Sequence, residues 1–260
     1  MEINLDELDI EIKKKMYFST AIIFSYLGED YYYKSNKSIS NIYNELVAEK
    51  IANRLGIPCC EYYLGSYNES LGTISKMFSK DNYFSMSDLL IGTYGITKNK
   101  NNLEDINNMF DEIFPKEVSD KLKKELLDIF LFDALIGNCD RNTDNYGLII
   151  NGSPRFAPLF DNENMLSEHS IYYGNYTLGI DKYDDDDENI LYKLFAGKEE
   201  AKERLKEMLP VISDDSLEEI FEELDWEYDI NPYIKDELLS RFRINRNMLI
   251  ECINGKVKRI

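Results

Sequence analysis

The sequence predicts an α+β fold in two lobes, a small β-rich N-lobe followed by a larger, mostly helical C-lobe. Strand patterns rich in β-branched and aromatic residues, separated by turn residues, are concentrated in the first 80 residues. From Asp81 onward, amphipathic helical patterns replace them. The chain has 260 residues, of which 43% are apolar, and this is enough to form a core in two small lobes. We therefore expect an N-lobe over residues 1–80 and a C-lobe over residues 81–260.

The predicted strands of the N-lobe are short runs of β-branched and aromatic residues. Ala21–Tyr26 and Tyr31–Ser35 flank the turn residues Gly28-Glu29-Asp30, which predicts a β-hairpin. Two further strands are predicted at Cys60–Gly65 and Gly72–Phe78.

Helices are predicted where apolar residues recur at helical spacing. Ile42–Leu55 has this pattern and is followed by the stop signals Gly56 and Pro58. Leu122–Ile136 carries the strongest apolar stripe of the chain and ends at Gly137. The remaining predicted helices are Asn189–Ala196, Lys198–Leu209, Ser216–Glu223 and Tyr233–Asn254.

A second hairpin is predicted directly after the strongest helix. The runs Tyr146–Ile150 and Arg155–Leu159 flank Asn151-Gly152-Ser153-Pro154, in which Asn-Gly is a hairpin signal. Such a hairpin returns the chain to its starting point, so we expect Asp161 to lie beside Asn145.

Charge and hydropathy limit the classes of partner. The net charge of −19 at pH 7 argues against a nucleic-acid-binding surface, because phosphate contacts need clustered Lys and Arg. The sequence has no apolar stretch of bilayer-spanning length, and its acidic start, residues 1–7, lacks the apolar centre of a signal peptide. We expect a cytoplasmic protein that binds neither nucleic acid nor membrane. Secretion of an effector by a route that reads no N-terminal signal stays open.

The reactive residue types limit the chemistry. None of the four cysteines forms a Cys-x-x-Cys pair, which argues against a zinc site or a disulfide framework. His169 is the only histidine, so Ser–His or Cys–His chemistry would require it as the base. The acidic run at residues 184–188 is typical of a solvated loop. Carboxylates, amides, Lys and Arg remain as the groups available for chemistry.

Three oxygen-bearing residues have a spacing typical of phosphoryl-transfer sites. Asp140 and Asn145 begin and end the segment Asp-Arg-Asn-Thr-Asp-Asn, and Asp161 follows the second predicted hairpin. Phosphoryl transfer uses a carboxylate to orient the attacking hydroxyl, and an amide oxygen with a second carboxylate to hold Mg²⁺ on the ATP phosphates. The pattern predicts Asp140 as the catalytic residue and Asn145 and Asp161 as Mg²⁺ ligands. Taken singly, each residue also fits a turn or a cap.

The N-lobe supplies the candidate ATP-binding residues. Lys34, near the end of the second predicted strand, is expected to contact the α- and β-phosphates of ATP. Glu45 in the following helix is expected to hold Lys34, with Glu49, one turn later, as the second choice. Neither a G-x-G-x-x-G nor a P-loop motif is present, so Ser19 and Thr20 are the expected cover of the phosphates. Without the Asp140 pattern, an exposed strand lysine would describe Lys34 equally well.

These residues resemble the C-terminal catalytic region of the HipA-like Ser/Thr kinase family. The family's Gly-Asn-x-Asp-x-His-x-x-Asn loop is similar to residues 137–145, and its Ala-Pro-x-Tyr-Asp segment is similar to Ala157-Pro158-Leu159-Phe160-Asp161. Asn44-Glu45 resembles the family's helix after the ATP lysine. The resemblance spans roughly residues 17–180, and the stretch 137–161 is its specific part.

The resemblance implies a bilobal protein-kinase-like fold and ATP- and Mg²⁺-dependent phosphorylation of Ser or Thr in proteins. It implies the same roles for Lys34, Asp140, Asn145 and Asp161, and it implies an adenine-binding hinge at Ser75-Lys76-Met77-Phe78. Some family members are toxins of toxin–antitoxin pairs, and some stand-alone relatives are secreted effectors. A protein substrate and an antitoxin or another regulatory protein are therefore the expected partners.

Two other functions remain open. Asn142 occupies the position of the family's loop His, and together with the missing Gly-rich loop it also fits a pseudokinase that serves as a binding module. The residues Asp140-Arg141-Asn142 also resemble the loop of phosphoinositide kinases, which suggests a small-molecule or lipid kinase. A lipid kinase would be expected to carry a basic membrane-facing patch, which is hard to reconcile with a net charge of −19.

Overall fold

The chain combines a six-stranded sheet and one long helix with a mostly helical second part that contains a three-stranded sheet. A computed structural model describes residues 2–16, 21–36, 38–78, 82–95, 103–138, 140–166 and 199–254. The α+β composition and the order of a β-rich part before a helical part agree with the prediction. The predicted boundary between residues 80 and 81 lies outside the described residues.

The large sheet has the spatial order β1-β5-β6-β4-β3-β2, and neighbouring strands are antiparallel except for the parallel pair β1–β5. Neither β1 nor β2 was predicted from the sequence. The reason is that β1 has only two residues, whereas β2 has the sequence Glu-Ile-Lys-Lys-Lys and is exposed throughout. The strands are β1 Ile3–Asn4, β2 Glu11–Lys15, β3 Ala21–Tyr26, β4 Glu29–Ser35, β5 Tyr62–Tyr67 and β6 Ser70–Lys76.

The predicted hairpin is confirmed as β3 and β4. Its turn consists of Leu27 and Gly28, both with positive φ (51° and 83°), as in the turns that match the twist of paired strands. Lys34 lies near the end of β4, between Ala21 on β3 and Thr73 on β6. The candidate ATP lysine is therefore held in the centre of the sheet.

Helices form most of the second part of the chain. The helices predicted to begin at Leu122, Lys198, Ser216 and Tyr233 are confirmed with shifted ends, and the predicted helix Asn189–Ala196 lies outside the described residues. The bounds are α1 Ile39–Leu55, α2 Met86–Tyr94, α3 Leu103–Ile113, α4 Lys116–Ile136, α5 Glu199–Met208, α6 Asp214–Tyr228 and α7 Pro232–Ile253. Short 3₁₀ helices cover Leu5–Glu7 and Leu209–Ile212.

Helix α1 joins the two parts of the molecule. It ends at Gly56, which takes the left-handed conformation (φ 70°) and donates its N–H to the carbonyls of Ala52 and Asn53. Most of the buried apolar side chains of α1 belong to the same core as those of α4, α6 and α7. Arg54 forms ion pairs with Glu219 and Glu223 of α6. The position of α1 is therefore set by the C-lobe as well as by the sheet.

The second predicted hairpin is confirmed, with strands shorter than predicted. Strands β8 (Gly147–Ile149) and β9 (Arg155–Phe156) pair with each other, and β7 (Tyr83–Ser85), which was not predicted, pairs with β8. After β9, Leu159 forms a parallel bridge with Cys59, just before β5. This bridge returns the chain to the base of the N-lobe and delivers Asp161 to the end of β4.

Among the helices in the described ranges, none has the length and apolar character required to cross a lipid bilayer.

Candidate active site

The loop after α4 is shaped by its asparagines. Gly137 ends the helix with φ 61°. Asn138 Oδ1 then accepts the N–H of Asp140 (3.1 Å), and Asn142 Oδ1 accepts the N–H of Asp144 (3.0 Å). Both contacts are turns in which a side chain bonds the backbone two residues later. Because Asn138 and Asn142 make the turns, the side chains of Asp140 and Asn145 are not needed for them.

Asp140 and Asn145 are joined directly. Asn145 Nδ2 donates to the carbonyl oxygen of Asp140 at 3.0 Å, so Oδ1 is the atom of that amide left for a ligand. The carboxylate of Asp140 accepts a hydrogen bond from Asn164 Nδ2 at Oδ2 (3.1 Å). The loop therefore presents a carboxylate held from one side and an amide oxygen a few residues away.

A buried ion pair lies beneath this loop. Arg141 donates from Nε to Asp133 Oδ2 (3.0 Å) and from Nη2 to Asp133 Oδ1 (3.0 Å), and both side chains are 0% exposed. Burial disfavours the charge on Arg141, but the Asp133 carboxylate outweighs it and raises the pKa of the guanidinium. Asn138 Nδ2 also donates to Asp133 (3.1 Å). The last turns of α4 and the loop thus form one hydrogen-bonded unit.

Arg141 also fastens the segment around Asp161 to the loop. Its Nη1 donates to the carbonyls of Asn145 (3.2 Å) and Phe160, and its Nη2 donates to Asn162 Oδ1. The sequence analysis did not identify this role. A signal was present, since Asp133 is the only charged residue in the apolar stretch 129–136 and a buried carboxylate needs a cationic or hydrogen-bonding partner.

Asp161 has a backbone conformation that is uncommon for a residue other than glycine. Its φ is 61°, in the left-handed region. Its N–H donates to Tyr62 Oη (3.2 Å), and the N–H of Asn162 donates to Glu45 Oε2 (2.9 Å). Two N-lobe side chains, from α1 and β5, therefore hold this turn in place.

Lys34 lies against this turn. Its Nζ is 2.9 Å from Asp161 Oδ1 and 2.9 Å from Glu163 Oε2. Burial lowers the pKa of Lys34, but the two carboxylates outweigh that effect and raise it above its ordinary value. The side chains of Lys34, Asp161 and Glu163 are 28%, 30% and 20% exposed, so water reaches all three.

Glu45 and Glu49 do not hold Lys34 as the sequence analysis expected. Within the described ranges, Lys34 forms ion pairs with Asp161 and Glu163 and with neither helix glutamate. Glu45 is 4% exposed, and burial raises its pKa to about 7, although the N–H of Asn162 opposes the shift. Glu49 Oε2 instead accepts the N–H of Tyr62 (2.9 Å). Each helix glutamate therefore accepts a backbone N–H, Glu45 from Asn162 and Glu49 from Tyr62.

The predicted hinge residues have different surroundings. The Met77 N–H donates to the carbonyl of Asp30 (2.9 Å), so it continues the sheet. Lys76 is half exposed and pairs with Glu29 (3.2 Å). Phe78 packs against Phe160 and Tyr83, with ring centroids 5.8 and 5.1 Å away. In the part of the chain that the structure describes, no backbone group accepts the N–H of Phe78.

Several predicted residues lie outside the described ranges. They are Ser19, Thr20, Cys139, His169 and the acidic run 184–188. Among the described residues, no cluster of three or more His, Cys, Asp or Glu side chains is arranged to hold a metal ion.

Comparison with known proteins identifies the family. The model of the HipA-like C-terminal domain matches residues 14–225. This chain belongs to the HipA-like C-terminal domain family. The resemblance stated from the sequence is thereby confirmed.

Comparisons with individual proteins also place this chain among HipA-like proteins. The serine/threonine-protein kinase CtkA of Helicobacter pylori (strain J99) is 30% identical over 139 residues, which cover 50% of this chain and 42% of CtkA. The match thus spans less than half the length of that relative. The crystal structure of the H. pylori proinflammatory kinase CtkA superposes with a TM-score of 0.77 at 22% identity, covering 98% of both chains. A HipA from Shewanella oneidensis MR-1, in a complex with HipB and operator DNA, gives a TM-score of 0.65 at 13% identity, covering 95% of this chain and 68% of HipA.

The matches establish the bilobal kinase-like fold of this HipA-like chain. Asn142, at the position of the loop His expected from the family, accepts the N–H of Asp144 and donates its own N–H to the carbonyl of Asp140 (2.9 Å). The side chain of Asn142 therefore shapes the loop without contacting the Asp140 carboxylate. Orientation of that carboxylate comes from Asn164.

Proposed function

We propose that this protein is an ATP- and Mg²⁺-dependent Ser/Thr protein kinase in which Asp140 orients the hydroxyl group of the substrate. The observation that carries the proposal is a single network joining residues far apart in the sequence. Lys34 bonds Asp161, Asn164 bonds the Asp140 carboxylate, and Asn145 bonds the Asp140 carbonyl. A cation, two carboxylates and an amide oxygen are the groups that phosphoryl transfer requires.

Asn145 and Asp161 are the residues that would hold Mg²⁺. Mg²⁺ prefers oxygen ligands, and Asn145 Oδ1 is left for a ligand because Nδ2 bonds Asp140. Asp161 is 30% exposed and bonded to a lysine that is itself partly solvated, so its carboxylate can exchange partners. When bound, Mg²⁺ supplies positive charge to the phosphate oxygens.

The chain's own residues would carry the remaining steps. Lys34, freed from Asp161, would bind the α- and β-phosphates of ATP, and Phe78 would contact adenine through its backbone. Asp140 would orient the Ser or Thr hydroxyl and take its proton as that oxygen bonds the γ-phosphorus. The bond from the γ-phosphorus to the oxygen bridging it to the β-phosphate breaks, and ADP leaves.

The proposal also assigns a role to each lobe and a class of partner to the protein. We infer an N-lobe over residues 1–80 that binds nucleotide, with Ser19 and Thr20 covering the phosphates, and a C-lobe over residues 81–260 that carries Asp140. The S. oneidensis HipA neighbour is in a complex with HipB and operator DNA. A regulatory protein partner fits this chain, whereas DNA contact does not fit a net charge of −19. A cytoplasmic location remains part of the proposal.

The test is transfer of labelled phosphate. The wild-type protein is incubated with Mg²⁺ and γ-labelled ATP, alone, with dephosphorylated casein and with a cell extract. We expect labelled protein, and a loss of about 10²–10⁴-fold in Asp140→Ala because the group that orients the hydroxyl is removed. Asp161→Ala should lose activity similarly. Asp144→Ala is the matched control in the same loop, since Asp144 is exposed, and it should stay within about twofold.

Other outcomes separate the alternatives. A wild-type protein that neither binds ATP nor transfers phosphate would show that the proposal is wrong. ATP binding without transfer to any acceptor would indicate the pseudokinase. Labelled metabolites in the extract, with no labelled protein, would indicate a small-molecule kinase.

A further inference from the structure

Two carboxylates contact Lys34 at the same distance, and the proposed function uses only one of them. Asp161 Oδ1 and Glu163 Oε2 both lie 2.9 Å from Lys34 Nζ. If Asp161 turns to Mg²⁺, as the proposed function requires, Lys34 loses one partner. The phosphate-binding lysine of a kinase must nevertheless stay in position when the metal is bound. Glu163 is the group that remains.

The backbone and side chain of Glu163 are both held in place. Asn36 Nδ2 donates to Glu163 Oε2 (2.8 Å), the same oxygen that contacts Lys34. The carbonyl of Glu163 accepts Asn44 Nδ2 of α1 (2.7 Å), and Asn44 is buried at 4% exposure. The same amide also donates to the carbonyl of Met165 (3.0 Å). The backbone of Glu163 is thus held by α1, and its carboxylate is held by the residue that follows β4.

Glu45, the residue expected for this role, is committed elsewhere. Its Oε2 accepts the N–H of Asn162, and it forms no ion pair with Lys34 within the described ranges. Moving Glu45 toward Lys34 would leave the N–H of Asn162 buried without an acceptor, which is costly. Glu163 reaches Lys34 without breaking any contact.

We infer that Glu163 is the positioning residue of Lys34, and that it keeps the ammonium directed at the nucleotide when Asp161 binds the metal. The inference rests on the proposed function and adds to it a residue outside the recognised motif. Helix α1 contributes indirectly: Asn44 fixes Glu163, and Glu45 fixes Asn162.

A double-mutant cycle tests whether Glu163 acts through Lys34. The variants are Lys34→Met, Glu163→Gln and the double variant, with binding of a fluorescent ATP analogue measured in Mg²⁺ and in EDTA. We expect Glu163→Gln to weaken binding about tenfold in Mg²⁺, because a charge-assisted hydrogen bond to Lys34 is lost. The effect should be smaller in EDTA, where Asp161 still contacts Lys34. In the Lys34→Met background, Glu163→Gln should change binding by less than about twofold. Glu218→Gln is the matched control, because Glu218 pairs with Lys235 (2.7 Å), a lysine also 28% exposed, and it should leave binding unchanged.

The wild-type protein and the three variants of the cycle are also unfolded in urea without nucleotide. A shift of the midpoint by Glu163→Gln that disappears in the Lys34→Met background would support the contact independently of activity. If Glu163→Gln weakens binding equally in both backgrounds, or not at all, while the wild-type protein binds nucleotide, the inference is overturned and the proposed function stands. If the wild-type protein binds no nucleotide, the proposed function is overturned and the inference with it.

Discussion

Two ion-pair systems contact residues 160–163 and differ in their access to water. The Arg141–Asp133 pair is 0% exposed, and Arg141 donates six hydrogen bonds, three to Asp133 and one each to Asn145, Phe160 and Asn162. The Lys34 cluster, with Asp161 and Glu163, is 20–30% exposed. Removing charges from water is unfavourable unless all their hydrogen bonds are made, and the buried pair makes them. The comparison supports our proposal that the buried pair is structural and that the partly solvated cluster exchanges partners when a ligand binds.

Consecutive residues of one short segment contact the two ion-pair systems alternately. Asp161 and Glu163 contact Lys34, whereas Asn162 between them contacts Arg141. The left-handed φ of Asp161 (61°) helps to turn these side chains in different directions. If Asp161 leaves Lys34 for a metal ion, as we propose, Asn162 can stay bonded to Arg141.

The largest expected effect is on the buried pair. Arg141→Met should lower the free energy of unfolding by about 3–5 kcal/mol, because it leaves the buried carboxylate of Asp133 without its cation. Urea unfolding followed by circular dichroism measures the change. A loss below about 1 kcal/mol would contradict a structural role for the pair.

A double variant identifies what Arg141 stabilises. Asp133→Leu added to Arg141→Met removes the orphaned charge and should restore part of the lost stability. Recovery should stay incomplete, since the carbonyls of Asn145 and Phe160 still lack their donor. Complete recovery would mean that Arg141 does no more than neutralise Asp133.

Glu45 gives an intermediate case, a buried acid that accepts the N–H of Asn162 and forms no ion pair among the described residues. Burial raises its pKa from the ordinary 4.5 to about 7. Between these values the folded protein binds more protons than the unfolded chain, so the contribution of Glu45 to stability falls as the pH rises from 4.5 to 7. Relative to wild type, Glu45→Gln should gain up to about 3 kcal/mol across that window.

Urea unfolding of both proteins at pH 5, 6, 7 and 8 measures the difference. Glu218→Gln, which removes a partly exposed carboxylate, should show a much smaller change with pH. Parallel pH profiles for wild type and Glu45→Gln would show that the Glu45 carboxyl has an ordinary pKa in the folded protein.

Much of the fold could be predicted because local patterns determine it. The β-branched and aromatic run Ala21–Tyr26 predicted its strand with the observed bounds, and the apolar stripe of Leu122–Ile136 predicted a helix that in fact begins at Lys116. Strand β2 could not be predicted, since an exposed edge strand of lysines has no apolar periodicity. Strand β7 has only three residues and forms by pairing with β8, which lies far along the chain.

The site was partly predictable for the same reason. The spacing of Asp140, Asn145 and Asp161 is local and can be recognised in a sequence, although their roles remain predictions. The carboxylate partners of Lys34 lie far from it in the sequence. They could not be predicted from a local pattern, because the pairing depends on how α1 packs against the sheet and the C-lobe. A helical pattern shows that Glu45 can face the sheet, but it does not show that Asn162 already occupies its carboxylate.

The smallest expected effect on stability belongs to the Lys34 cluster. Lys34→Met should change the free energy of unfolding by no more than about 1 kcal/mol, because partly solvated ion pairs contribute little. Most of that loss should come from repulsion between Asp161 and Glu163, and it should shrink in about 0.5 M NaCl, where such charges are screened. The effect of Arg141→Met on stability should be nearly the same at both salt concentrations, since its ion pair is 0% exposed. If Lys34→Met proved as destabilising as Arg141→Met and equally insensitive to salt, Lys34 would be a structural cation like Arg141. A ligand could then displace it only at a large cost in stability.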